Sequence, residues 1–172
     1  LAQMAGCEVN RGILLDGHMQ TTVPDIYAAG DCTVSHDISC DTDRILAILP
    51  NAYMQGETAG MNMAGGDRVF DKSIPMNASG FMGLHMITAG SYDGEQYLEE
   101  TADSYKLLVT RDDHLAGFIL LGDVERAGIY TSLIRERTPL SSIDFELIRE
   151  KPQLMAFSQT ERAKKLGGVH VW

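Results

Sequence analysis

The chain has 172 residues, 44% of them hydrophobic, enough for one substantial core or two small ones. Its formal net charge of −10 argues against nucleic acid or an anionic membrane as partner, since both demand a basic face. The 22% of charged residues form no long like-charged run, and no apolar stretch reaches the ~20 residues of a membrane-spanning helix.

In chain order, Leu1 to Glu8 is predicted as a short helix that ends near Gly6. The start Leu1-Ala2-Gln3-Met4-Ala5-Gly6 has no initiator Met and none of the regions of a signal peptide. It is expected to be an internal cut in a longer protein. Gly12-Ile13-Leu14-Leu15-Asp16 reads as a strand closed by the turn dipeptide Asp16-Gly17, His18 to Thr22 continues extended, and Asp25 to Ala29 reads as a second short strand. That strand stops at Gly30-Asp31. Residues 33–46 are polar and are predicted as a loop.

Pro50 opens a helix that runs to about Ala64 and ends at Gly65-Gly66. Ala52, Gly56, Ala59, Gly60 and Met63 share one face, so this helix is expected to lie flat against a sheet. Residues 74–80 and 84–92 are predicted strands. Tyr105 to Leu121 then reads as a β-hairpin around the polar turn Arg111-Asp112-Asp113-His114. Val124 to Arg137 and Ser142 to Arg149 are predicted helices separated by Pro139, and the stretch Ala163 to Gly168 is expected on the surface. The fold class is therefore α+β: an α/β segment, residues 1–66, with too few strands to close its own core, and an antiparallel sheet with helices, residues 67–172.

Three cysteines, an odd number with no Cys-x-x-Cys pair, suit a reducing compartment and give the expectation of a cytoplasmic protein. Cys32-x3-His36-x3-Cys40, with Asp37 and Asp41 beside it, offers soft ligands for zinc; the alternative is a small buried Cys among polar loop residues. No metal ligand is assigned. His85 and His114 read as structural or solvated rather than catalytic.

Thr21-Thr22-Val23-Pro24-Asp25-Ile26-Tyr27-Ala28-Ala29-Gly30-Asp31 resembles the second flavin fingerprint of the pyridine nucleotide–disulfide oxidoreductases, in which a strand delivers a Gly-Asp pair to FAD. Asn10 to Asp16 resembles the strand and turn that lead into it, and Asn51 to Asn62 the helix that follows. The stretch from Tyr105 to Asp123 resembles the C-terminal interface domain of NADH–rubredoxin oxidoreductases and NADH-dependent nitrite reductases. It does not resemble the interface domain of glutathione reductase.

The resemblance implies an oxidoreductase passing electrons from NAD(P)H through FAD to an acceptor, with residues 1–66 the last segment of the FAD domain and 67–172 the interface domain. It implies that Asp31 holds the ribityl hydroxyls, that Gly30 lets backbone approach the ligand, and that the N–H groups of Leu49 and Asn51 face the flavin ring. A helix start carries about half a positive charge and would favour the anionic reduced ring. No catalytic residue is assigned, and the chain alone is expected to be inactive and to bind FAD weakly or not at all.

The sequence contains no Gly-x-Gly-x-x-Gly turn for the phosphates of FAD or NAD(P)H and no Cys-x4-Cys redox pair. The implied assembly is a homodimer whose acceptor is a small redox protein or a small molecule. The competing expectation is a protein-interaction or dimerisation module without a part in chemistry.

Overall fold

The computed structural model describes residues 1–167, and the chain divides into two compact units at the Met76–Asn77 junction. The first unit opens with a 3-10 turn, Gln3–Ala5, closed by Gly6. Its sheet takes the order β1 (Val9–Asn10), β2 (Gly12–Leu14), β3 (Thr33–Asp37), β4 (Thr42–Arg44). β2 and β3 are parallel, with Ile13 opposite Thr33, while β1–β2 and β3–β4 are antiparallel.

The predicted strand at 25–29 is reduced to one isolated bridge, Tyr27 to Gln20. Pro24-Asp25 forms a turn, with Asp25 at φ 63° and the Ile26 N–H donating to the Val23 carbonyl at 3.3 Å. That left-handed residue breaks the extended run.

Residues 33–46, predicted as a loop, contain the β3–β4 hairpin instead. One buried carboxylate makes the difference. Asp37 accepts from the Ser39 N–H (2.9 Å) and hydroxyl (2.6 Å), from the Cys40 thiol (3.3 Å) and from Arg44 Nε (2.8 Å). The hairpin is held by polar bonds, so it carries no apolar alternation for a reader of sequence to find.

Helix α1 spans Leu49–Met63, beginning one residue before the predicted Pro50, and of the face expected to be buried only Ala59 is. Gly56 and Gly60 have nothing within 4 Å of where a Cβ would stand, and Met63 is 68% exposed. The buried positions are Asn51, Gln55, Thr58, Ala59 and Asn62. These amides satisfy backbone groups that would otherwise be orphaned. Asn62 donates to the carbonyls of His18 and Arg68, both at 2.8 Å, and accepts the Arg68 N–H at 2.7 Å. Asn51 donates to the Ile74 carbonyl at 3.1 Å. Together with Phe70 N–H to Gly17 carbonyl (2.8 Å), these bonds tie residues 67–76 into the first unit.

The second unit is a five-stranded sheet: β5 (Met76–Phe81), β6 (Leu84–Gly90), β7 (Glu95–Glu100), β8 (Tyr105–Arg111) and β9 (His114–Leu121), in the order β5-β6-β9-β8-β7. The β8–β9 hairpin turns at Asp112-Asp113, both at positive φ, as its polar turn predicted. β7 escaped the sequence reading because its exposed edge carries Glu95, Glu99 and Glu100, residues that strands usually disfavour but edges tolerate. Helix α2 (Ala127–Arg135) packs on β9 and β6, with the Tyr130 ring 5.4 Å from Phe118.

α2 begins later than the predicted Val124, because Arg126 sits in the left-handed region at φ 59°. α3 (Phe145–Glu150) starts after Asp144, whose carboxylate caps the Leu147 N–H at 3.1 Å. The stretch expected as surface tail is helix α4 (Gln159–Leu166), capped by Ser158 and tied by Lys165 Nζ to Ser132 at 2.8 Å. Gly168 of that expectation lies outside the described residues. Among the described residues no helix is long and apolar enough to cross a membrane.

Candidate functional site

Gly30 to Thr33 is a β-turn, closed by the Thr33 N–H donating to the Gly30 carbonyl at 3.0 Å. The Thr33 hydroxyl reinforces it, 2.7 Å from the same carbonyl. Gly30 has φ +87°, a conformation that side-chain-bearing residues rarely adopt, which is the physical reason for glycine here. Asp31 occupies the second position of the turn. It is exposed, and its carboxylate has no hydrogen bond or ion pair among the described residues. A carboxylate so placed is free to accept hydrogen bonds from hydroxyl groups of a ligand.

The start of α1 lies beside this turn. A Cβ on Gly30 would stand 3.7 Å from the Ala52 Cβ, so the turn packs on the first turn of the helix. No side chain caps that helix start; Ile48 precedes it in extended conformation. Leu49 is 82% exposed. Asn51 is 0% exposed and its side chain is turned inward to Ile74, so its N–H is not at the molecular surface. The Asn51 Oδ1 is buried without a hydrogen-bond partner. An uncapped helix start next to an unpaired carboxylate is a pair of opposite partial charges open to a polar ligand.

The link between turn and helix is a residue to which the sequence reading gave no role. Gln55, 2% exposed, accepts the Gly30 N–H at 2.6 Å and its amide nitrogen donates to the Ser35 hydroxyl. One signal was available: Asn51, Gln55, Thr58 and Asn62 recur at helical spacing, a polar stripe where a core face would be apolar.

Cys32, His36 and Cys40 do not converge. His36 lies between two carboxylates, Asp43 at 2.9 Å from Nδ1 and Asp41 at 3.1 Å from Nε2. Cys40 turns to Asp37 and Thr42, and Cys32 is exposed with its thiol 3.6 Å from the Ala29 carbonyl. Among the described residues no group of three His, Cys, Asp or Glu side chains is arranged to hold a metal ion. His85 is an exposed strand residue, and His114 Nδ1 lies 2.6 Å from the Asp112 carbonyl in the hairpin turn.

Residues 1–56 match the family model described as pyridine nucleotide-disulphide oxidoreductase. Over 148 residues, 81% of its length, the chain is 34% identical to the NADH-dependent phenylglyoxylate dehydrogenase subunit epsilon of Aromatoleum evansii, of which it covers 35%. It is 27% identical to the NADH-rubredoxin oxidoreductase of Clostridium acetobutylicum over 66% of this chain and 30% of that protein. The chain thus spans about a third of the length of these two relatives. Among solved structures, an FAD-dependent pyridine nucleotide-disulphide oxidoreductase from Desulfovibrio vulgaris superposes with a TM-score of 0.74 at 21% identity, covering 88% of this chain and 42% of that one. At that identity the superposition establishes the fold alone.

Proposed function

The chain belongs to the pyridine nucleotide-disulphide oxidoreductase family, and on that premise we propose that its first unit is the ribityl- and ring-facing part of an FAD site and its second unit the interface domain of the same oxidoreductase. The observation that carries this reading is the Gly30–Thr33 turn, with its exposed, unpaired Asp31, packed on the uncapped start of α1. FAD fits the groups present. Its ribityl hydroxyls are donors for the Asp31 carboxylate, and its electron-rich ring edge is an acceptor for the exposed end of a helix. Bound there, the flavin would take a hydride equivalent from NAD(P)H and deliver electrons to the acceptor.

This chain's own contribution is positional and electrostatic. Asp31 holds the ribityl chain, Gly30 supplies the close backbone approach, and the Leu49 N–H faces the ring. Asn51, wholly buried, fixes the helix start through Ile74 rather than reaching the ligand through its N–H. The assembly is a cytoplasmic homodimer, and a small redox protein or small molecule is the acceptor. Without a phosphate-binding glycine turn in its sequence, the chain by itself holds FAD weakly and turns nothing over.

The test is an FAD titration of the chain and of Asp31→Ala, followed by amide NMR. Loss of charged hydrogen bonds worth about 1.5–3 kcal/mol predicts an affinity drop of roughly ten- to a hundredfold. An unchanged affinity rejects the assignment of Asp31. Stoichiometric flavin absorbance purifying with the chain rejects the weak-binding claim.

A further inference from the structure

Nothing among the described residues holds the Asp31 carboxylate itself, so its position is set by whatever fixes the turn that carries it. The N-terminal end of that turn is the Gly30 N–H, 2.6 Å from Gln55 Oε1. At its other end the Thr33 hydroxyl lies 3.3 Å from the same oxygen, with its proton 2.7 Å-bonded to the Gly30 carbonyl. The orientation of the Gln55 amide is fixed, because only its oxygen accepts the Gly30 N–H while its nitrogen donates to Ser35. Gln55 projects from α1 one helical turn after Asn51, whose side chain pins the helix to the Ile74 carbonyl at 3.1 Å. Turn and helix start are therefore registered by one buried amide.

We infer that Gln55 is a positioning residue that sets the Asp31 carboxylate relative to the start of α1, and so couples the ribityl-facing and ring-facing parts of the site. The inference rests on the flavin reading above. A latch with a purely structural role would change stability, and any effect of its loss on flavin affinity would be the same with or without Asp31. A positioning role makes the two residues act as one unit.

The experiment uses the isotope-labelled chain with Gln55→Met, which keeps length and removes the amide, Gln55→Glu, which keeps an acceptor for Gly30 while Ser35 turns to donate, and the Asp31→Ala background. In Gln55→Met the Gly30 amide is expected to exchange with solvent at least ~10-fold faster, and in Gln55→Glu within ~3-fold of the parent, with the Phe118 amide of the second unit unchanged in both. FAD affinity is expected to fall ~10-fold in Gln55→Met, and not to fall further when the same substitution is made on Asp31→Ala.

An equal loss in both backgrounds, or an unchanged Gly30 exchange rate, overturns the inference. So does a silent Gln55→Met beside an Asp31→Ala that does weaken FAD, and that outcome leaves the flavin reading standing. An Asp31→Ala without effect on FAD removes the flavin reading and this inference with it. Where Gln55→Met does not fold, Ser35→Ala, which frees only the amide nitrogen, carries the same cycle with an expected ~3-fold loss that requires Asp31.

Discussion

Gly117 and Gly128 undergo opposite fates on substitution by alanine, though both lie in the second unit. Gly117 pairs with Gly90 across β6 and β9 and with Val109 on β8. A Cβ there would stand 2.0 Å from the Ser91 carbonyl oxygen and 2.8 Å from the Ser91 N and C atoms. All three are backbone atoms, so no side chain can swing aside. The end of β6 must move, and with it goes the Ser91 N–H bond to the Ala116 carbonyl at 2.9 Å.

Overpacking of about 1–3 kcal/mol plus a lost hydrogen bond of about 0.5–1.5 kcal/mol gives a destabilisation of roughly 2–4 kcal/mol. Gly128, exposed in the first turn of α2, has nothing within 4 Å of its Cβ position. Alanine there removes backbone freedom from the unfolded chain and is expected to stabilise by up to about 1 kcal/mol. Urea unfolding followed by circular dichroism, with the Phe118 amide exchange rate as a local check on the sheet, reads both. A loss under about 1 kcal/mol for Gly117→Ala would refute the close approach of β6 and β9, and any destabilisation by Gly128→Ala would refute the open space beside the first turn of α2.

Three further outcomes are expected. Two donors from Ser141, its hydroxyl at 2.6 Å and its N–H at 3.0 Å, hold the Asp113 carboxyl below its ordinary value of 3.8. Its contribution is complete above pH 3.8 and is lost as pH falls through the lowered folded value, so melting temperatures of Asp113→Asn should fall less steeply in acid than those of the parent. Tyr130→Phe removes the hydroxyl that donates to the Ile148 carbonyl at 2.9 Å; unfolding should show a loss of about 1 kcal/mol, and no loss would mean that the bond is replaced. Asp37→Ala strips a fully buried carboxylate from Ser39, Cys40 and Arg44; with Arg44 46% exposed and able to return to water, a loss of about 2–3 kcal/mol is expected, read by amide exchange across β3 and β4.

The sequence yields elements best where burial is apolar. The β8–β9 hairpin is visible in the two apolar runs on either side of the polar turn at Asp112-Asp113, and α1 in its Pro50 and its Gly65-Gly66 end. The first unit hides the rest because its interior contains a polar network. Thr33, Asp37, Asn51, Gln55, Thr58 and Ser73 are all buried, so hydrophobic periodicity misassigns both the hairpin at 33–44 and the buried face of α1.

The candidate site is legible to a matching degree. Gly30 and Asp31 stand out in a motif, and the helix start follows from Pro50. The polar stripe marks Gln55 as lying on a buried polar face, but its partner is not legible, because the bond runs to a backbone N–H 25 residues away in sequence. The resemblance implies that the Asn51 N–H faces the ring because a helix start is normally open; the sequence holds no sign that this residue is wholly buried, with its side chain donating inward to the Ile74 carbonyl.

The FAD site at the Gly30–Thr33 turn is tested most directly by a map of amide shifts on adding millimolar FAD to the isotope-labelled chain. Gly30, Asp31, Cys32 and Leu49 are expected to shift together, while β7, β8 and α2 stay still. Shifts absent from the Gly30–Thr33 turn and the start of α1, or gathered instead in the second unit, would contradict it.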